Sequence, residues 1–251
     1  MTKILKILII PLFLFGCTNQ AKLATKPTQI GIVAPVINQE LANKNAPKLN
    51  SEMVVLDSDN SKIPVSHLLS VPFASQAPLG DWRPLYNEAC EEASMIMVAK
   101  YFKQETLSAA IMNEEILKLV AWEQKQGYAI DLTASEVVKI LADYFSINAR
   151  AVKTVTPELI KGELLKGNPI IIPVAGRELG NPNFRNPGPL YHMLVIRGYN
   201  DKSFITNDPG TKNGSGYQYL YQRLIEAIHD WNQGQVSNGQ AVIIVVSGLL
   251  K

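Results

Sequence analysis

VPFASQAPLGDWRPLYNEACEEASMIMVAKYF, the stretch from Val71 to Phe102, decides the fold. Its second half is apolar around almost the whole circumference of a helix, at Ala93, Ile96, Met97, Val98, Ala99, Tyr101 and Phe102. Such a pattern is typical of a helix in the core rather than on the surface. We therefore predict a buried central helix that begins at Cys90.

The position of Cys90 at the start of this helix predicts a reactive thiol. A helix N-terminus carries about half a positive charge, and that charge lowers the pKa of a thiol from its free value of about 8.5. The thiolate is the form that attacks carbonyl carbons. The alternative for Cys90 is an inert, buried cysteine.

Four short motifs follow one another along the chain: Val71-Pro72-Phe73-Ala74-Ser75-Gln76, Cys90-Glu91-Glu92-Ala93-Ser94, His192 through Gly198-Tyr199, and Asp208-Pro209. Together they resemble the motifs of papain-like cysteine peptidases, and within these the C-thirty-nine-like branch, relatives of the bacteriocin-leader peptidases. The resemblance covers residues 64–251. One departure is that Glu91-Glu92 stands where the family usually has Gly-Pro.

The resemblance implies an α+β papain-like fold, in which a helical lobe with the cysteine helix packs on an antiparallel β-sheet lobe that carries the histidine. It implies a cysteine peptidase with Cys90 as nucleophile and His192 as base. Asp208 would orient the histidine, and the side-chain amide of Gln76 would donate to the oxyanion.

The hydrophobic periodicity independently indicates an α+β domain, since helices dominate its first half and strands its second. After the central helix, four further helices are predicted. Three occupy 107–122, 157–165 and 219–231, and the fourth begins at a capping box formed by Thr133 and Glu136. Strands are predicted at 149–152, 170–174, 191–199, 204–207 and 242–246.

The spacing of His192 and Asp208 predicts their contact without reference to the family. A hairpin centred on Asn200 places His192 directly opposite Asp208, and opposed residues have Cβ atoms about 4.5 to 5.5 Å apart. A slip of one residue would put Asn207 there instead. Because an amide can also orient an imidazole ring, Asn207 is the alternative orienting residue.

The residues predicted to form the rim of the substrate site are Trp82, Glu91, Glu92 and Tyr191. Glu91 and Glu92 place negative charge near a thiol that must ionise, and like charge raises the pKa of a thiol. Successive residues of a helix point about 100° apart, so these carboxylates need not face the sulfur. An acidic rim would prefer basic substrate side chains, and the loop 175–190 is a candidate wall or lid.

The N-terminus has the pattern of a secretory signal, in which Lys3 and Lys6 precede a short apolar run. That run ends in Leu14-Phe15-Gly16-Cys17, which resembles the lipobox of bacterial lipoproteins and implies lipidation of Cys17. We predict a signal peptide at 1–16, a lipidated cysteine and flexible tether at 17–62, and a peptidase domain at 63–251. The protein would then be extracytoplasmic and anchored to the membrane of the cell envelope.

The composition excludes other partners. A net charge of +2 without a basic cluster argues against nucleic acid. Two cysteines and three scattered histidines give no metal-ligand spacing, so we expect no metal and no other cofactor. The expected partner is a peptide or protein substrate. Two alternatives share the fold: a catalytically inactive module that binds peptides or cell-wall fragments, and a thiol acyltransferase.

Overall fold

The structure is a computed structural model that describes residues 63–250. The predicted signal peptide, Cys17, the tether and a short strand predicted at 53–56 lie outside the described residues, and their assignment stays a prediction. Within the described part of the chain, no helix combines the length and the apolar character needed to cross a bilayer.

Five helices and seven strands make up the described domain. The helices are α1 (Cys90–Lys103), α2 (Ala109–Gln126), α3 (Ala134–Asp143), α4 (Pro157–Leu165) and α5 (Tyr221–Ala227). The strands are β1 (His67–Leu68), β2 (Ile147–Val152), β3 (Ile170–Ala175), β4 (Tyr191–Tyr199), β5 (Ser203–Asn207), β6 (Ser215–Leu220) and β7 (Ile243–Leu249).

The strands form one antiparallel sheet in the order β2-β7-β3-β4-β5-β6, and β1 pairs with the end of β4 on the edge opposite β5. The central strand β3 is buried at all of its positions, as is β4 except at Arg197, so both faces of the sheet centre are covered. Helix α1 packs against β4 and β7. The predicted α+β fold, with the cysteine helix on an antiparallel sheet, is confirmed.

Helix α1 is the buried central helix that the sequence predicts. It begins at Cys90, and its first ten residues are all buried. Ala89 precedes it without a side-chain cap, and Gln104 ends it in the left-handed conformation at φ 54°. The first turn therefore depends on groups other than a capping side chain, and the carboxylates of Glu91 and Glu92 lie there.

Most predicted elements are present, with differences at their ends. The capping box of Thr133 and Glu136 begins α3, and α4 occupies 157–165 as predicted. The helix predicted at 219–231 is wrong in its first part: residues up to Leu220 belong to β6, and the helix is only Tyr221–Ala227. Pairing with β5 decides this, because Tyr219 lies opposite Phe204 in the sheet. The two-residue strand β1 was not predicted.

The predicted register of the hairpin between β4 and β5 is wrong. Tyr199 pairs with Phe204 and Val195 with Asn207, so the turn is longer than one centred on Asn200, and a bulge at Arg197 adds a further residue. The side-chain oxygen of Asn200 stabilises the longer turn by accepting the backbone N–H groups of Lys202 and Ser203. Asp208 therefore lies just beyond the end of β5 rather than opposite His192.

Candidate active site

His192 and Asp208 contact each other in spite of the changed register. Nε2 of His192 lies 2.8 Å from Oδ1 of Asp208, and both side chains are buried. After β5 ends, the chain turns so that the backbone N–H of Asp208 donates to the carbonyl of Gly214. This turn, rather than strand pairing, brings the carboxylate to the histidine.

The carboxylate of Asp208 is held in its charged form. Burial alone would raise its pKa, but the attraction of His192 and hydrogen bonds from His192, Tyr219 and the backbone of Gly210 outweigh burial and hold the pKa below its usual range. A carboxylate accepts hydrogen bonds, so Nε2 of His192 carries the hydrogen of the shared bond. Nδ1 is then the basic nitrogen of the ring.

The ring of His192 is packed on two further sides. Phe184 meets it edge-on, with ring centroids 5.4 Å apart. Gly210 lies so close that a Cβ on it would be 2.8 Å from Cε1 of His192. Only a residue without a side chain fits at this position, and the ring has little freedom to turn away from Asp208.

Cys90 lies beside the same part of β4. The backbone of Met193, the residue after His192, lies near enough to the sulfur to lower the pKa of the thiol. The thiol itself donates to Oε2 of Glu91 at 2.8 Å. Among residues 63–250 no hydrogen bond joins Sγ to His192, so the structure brings the thiol next to the histidine strand but aims its hydrogen at a carboxylate.

The predicted low pKa of Cys90 is wrong. Cys90 is 6% exposed, and its burial raises the pKa of the thiol well above its ordinary value; the charge and hydrogen bond of Glu91 raise it further. These effects exceed the contribution of the helix N-terminus. The angle between successive helix residues leaves the direction of Glu91 open, and in the structure its carboxylate faces the sulfur.

Glu91 and Glu92 form a buried acidic cluster with Glu123 of α2 rather than an exposed rim. Glu91 is 1% exposed and Glu92 is 5% exposed. Burial raises the pKa of Glu91 well above its usual range and that of Glu92 to about 7. Burial, together with the charge of Glu92, raises the pKa of Glu123 to about 10.

The other two predicted rim residues, Tyr191 and Trp82, differ in their exposure to solvent. The side chain of Tyr191 is buried, and its hydroxyl donates to the carbonyl of Leu132, so it does not form an exposed rim. The backbone N–H of Leu132 donates to Oε1 of Glu91, which fixes the carboxylate that holds the thiol. Trp82 is 39% exposed in the loop before α1 and is the one predicted rim residue at the surface.

Gln76 is buried close to the site, but its amide is already in use. Nε2 donates to the carbonyls of Tyr86 and Asn87 at 2.9 and 3.0 Å, which uses both of its hydrogens. The backbone N–H of Gln76 donates to the carbonyl of Pro209, so this segment is joined to the one that holds Asp208. The role of Gln76 as an oxyanion donor stays a prediction, and it requires one amide hydrogen to be released.

Asn207, the alternative orienting residue, does not contact His192. Its amide donates to the carbonyls of Val71 and Pro72, and thereby fixes the segment that precedes Gln76. Asp208 is the residue that holds the ring.

A family model matches most of the domain, at residues 68–238, and it is that of the Peptidase C39-like family. The chain belongs to this family. Among solved structures, the crystal structure of a candidate C39-like peptidase from Bacillus anthracis is similar at 15% identity. The match has a TM-score of 0.49 and covers 74% of this chain and 99% of that chain. No curated protein matches the chain.

Membership of the Peptidase C39-like family agrees with the resemblance of the four motifs, and it leaves Glu91-Glu92 as the main local departure. In this chain both glutamates of the departure are buried: Glu91 accepts a hydrogen bond from the thiol, and the pKa values of Glu92 and of its neighbour Glu123 are raised.

The sequence analysis did not predict four residues that contact His192 or Asp208: Asn181, Phe184, Gly210 and Tyr219. Asn181 and Phe184 lie in a loop without periodicity, and Tyr219 lies in a strand that was predicted as a helix. A correct assignment of β6 would have placed Tyr219 beside β5, but not its hydroxyl on Asp208.

Proposed function

We propose that this chain is an exported, lipid-anchored cysteine peptidase that hydrolyses peptide bonds with Cys90 as nucleophile. The observation that carries the proposal is the buried hydrogen bond between His192 and Asp208, formed where the backbone of the next residue, Met193, lies near the sulfur. A histidine held by a carboxylate beside a thiol at a helix start is the arrangement that activates a cysteine nucleophile.

The proposed reaction starts from a neutral thiol. Sγ turns from Glu91 toward Nδ1 of His192, which accepts the proton as sulfur attacks the peptide carbonyl. Asp208 stabilises the imidazolium, which then gives its proton to the leaving amine. Water hydrolyses the thioester with His192 again as base. The raised pKa of Cys90 favours proton transfer during attack over a resting ion pair.

The oxyanion of the tetrahedral intermediate needs hydrogen-bond donors. The backbone N–H of Cys90 belongs to the first turn of α1, where N–H groups have no intrahelical acceptor. Gln76 would supply a second donor after giving up the carbonyl of Tyr86 or Asn87. Loss of one such donor typically lowers turnover by about 10²-fold or more.

Cleavage of a pool of fluorogenic peptides by the full chain tests the proposal. Cys90→Ala should abolish cleavage, and His192→Ala should lower it by about 10³-fold or more. His229→Ala is the matched control, because His229 is partly exposed and bonds to the carbonyl of Gly239, outside the site. Full cleavage by Cys90→Ala would rule out a cysteine peptidase.

Lipid anchoring is part of the proposal and rests on residues 1–17 of the sequence. In a bacterial host fed an alkyne-tagged fatty acid, the chain should acquire the tag and sediment with membranes. A Cys17→Ala variant should acquire no tag and stay in the supernatant. Equal labelling of both variants would contradict anchoring at this cysteine.

One observation favours a second candidate function, an inactive peptide-binding module. The thiol is buried, donates to Glu91 and has a raised pKa, which are unfavourable properties for a nucleophile. In that case peptides would bind without being cleaved, and Cys90→Ala would bind them as tightly as the wild-type chain. Titration calorimetry with uncleaved members of the peptide pool separates the two functions.

A further inference from the structure

The second oxygen of Asp208, Oδ2, has two partners with no assigned role. Tyr219 Oη donates to it at 2.6 Å, and Asn181 Nδ2 donates at 3.2 Å. All three side chains are buried. We propose that Tyr219 and Asn181 are positioning residues that hold Asp208 ionised and turned toward Nε2 of His192; the importance of this for turnover rests on the proposed function.

The hydroxyl of Tyr219 can donate its hydrogen only to Asp208. Asn181 Nδ2 donates to Tyr219 Oη at 2.7 Å, so the hydrogen of the hydroxyl itself goes to Asp208. Burial and the charge of Asp208 raise the pKa of Tyr219 above its usual range. Tyr219 is therefore a neutral donor to the carboxylate at neutral pH.

The amide of Asn181 is also fixed in orientation. Its Oδ1 accepts both the backbone N–H and the side-chain Nδ2 of Asn183, at 2.9 and 3.0 Å. Its Nδ2 must then face Tyr219 and Asp208. Because Asn181 belongs to the loop 176–190, the position of this loop is linked to the carboxylate behind His192.

The groups around Asp208 all favour its charged form. They are His192 from β4, Tyr219 from β6, Asn181 from the loop and the backbone N–H of Gly210, which donates to Oδ1 at 3.0 Å. Tyr217 is the further titratable group nearby. A buried carboxylate that loses a donor is protonated more easily and turns more freely, so it holds the imidazole less firmly.

Nuclear magnetic resonance of the full chain labelled with ¹⁵N-histidine tests the inference at neutral pH. The chain has three histidines, and a His192→Gln spectrum assigns the Nε2–H signal. In the wild-type chain this hydrogen should exchange slowly with water. Tyr219→Phe removes one oxygen, and it should shift the signal and speed exchange by about tenfold or more. Asn181→Ala should act in the same direction with a smaller effect.

Tyr217→Phe is the matched control. It removes a hydroxyl from the adjacent ring of β6, whose centroid lies 4.8 Å from that of Tyr219, and it should leave the signal unchanged. An unchanged signal in Tyr219→Phe would overturn the inference. So would an equal change in the control, or rapid exchange in the wild-type chain. If Tyr219→Phe fails to fold, Asn181→Ala decides in the same way.

Kinetics provide a second readout where a peptide is cleaved. Tyr219 is buried behind Asp208 and does not reach the substrate, so Tyr219→Phe should lower kcat about tenfold and leave KM unchanged. The magnetic resonance measurement needs no turnover. An unchanged signal therefore rejects the positioning role, whereas absence of cleavage with a shifted signal rejects only the peptidase.

Discussion

At the scale of single residues, the site combines one arrangement that favours catalysis with one that opposes it. His192 is oriented by Asp208 as a base should be. Cys90, however, donates its hydrogen to Glu91, whose other oxygen is fixed by the backbone of Leu132. Burial raises the pKa of both groups. The charge of Glu91 disfavours ionisation of the thiol, whereas the hydrogen bond from the thiol favours the ionised form of Glu91.

Replacing Glu91 should make the thiol more reactive. Glu91→Gln removes the charge that raises the pKa of Cys90, and the rate of alkylation by iodoacetamide at pH 7 should rise about tenfold, one unit of pKa. Mass spectrometry follows the modification. Glu88→Gln, an exposed acid just before the helix, is the control. A slower reaction of Glu91→Gln would mean that Glu91 assists ionisation.

Gly210 should be essential for the orientation of His192. A Cβ at this position would come within 2.8 Å of the imidazole, so Gly210→Ala should push the ring away from Asp208. Peptide cleavage should fall about tenfold or more. Gly162→Ala, where a Cβ meets nothing within 4 Å, serves as the control. Full activity of Gly210→Ala would show that the ring tolerates displacement.

The contact of His192 with Asp208 could be predicted from the sequence, but the reason for it could not. The prediction relied on a strand register that the structure does not have. The same limit applies to Cys90. The sequence predicted a thiolate, but the side chain of Glu91 turns toward the sulfur and raises the pKa of the thiol. Which way a side chain turns inside a core depends on packing, which residue spacing does not specify.

At the scale of elements, α1 and α2 each contribute a buried glutamate, Glu92 and Glu123, whose pKa values are raised by burial. Element types were largely predictable, since the capping box of α3 and the apolar strands have strong local signals. The β6 to α5 boundary was not, because pairing with β5 overrides the helical spacing of Leu220, Leu224 and Ile228.

The acidic pair predicts the direction of the pH dependence of stability. Both carboxyls have folded pKa values above the unfolded value of about 4.3, so the folded state binds more protons above that pH and stability falls as pH rises. The free energy of unfolding, measured in urea, should be lower at pH 9 than at pH 6.

Glu123→Gln should make the free energy of unfolding less dependent on pH. The loss of this one titrating group should reduce the slope by up to about 1.4 kcal/mol per pH unit. Glu114→Gln, an exposed acid on the same helix, should leave it unchanged. A wild-type stability that rises steadily from pH 6 to pH 9 would contradict the raised pKa values of these two buried carboxyls.

At the scale of the whole molecule, the described domain contains every element of the proposed site, since the family match at 68–238 includes the segments from Gln76 to Asp208. A chain from residue 63 to 251 should therefore fold alone and keep the peptide cleavage of the full chain. Thermal unfolding followed by circular dichroism checks this. A loss of cooperative unfolding in the shorter chain would place part of the core before residue 63.

The central claim is that the sulfur of Cys90 leaves Glu91 and attacks a carbonyl beside His192. A crystal structure of the chain reacted with a peptide aldehyde tests it directly. We predict a covalent bond from Sγ to the aldehyde carbon, Nδ1 of His192 within hydrogen-bond distance of the adduct, and Asp208 still on Nε2. A thiol still bonded to Glu91, with the peptide absent or bound without a covalent bond, would contradict the account.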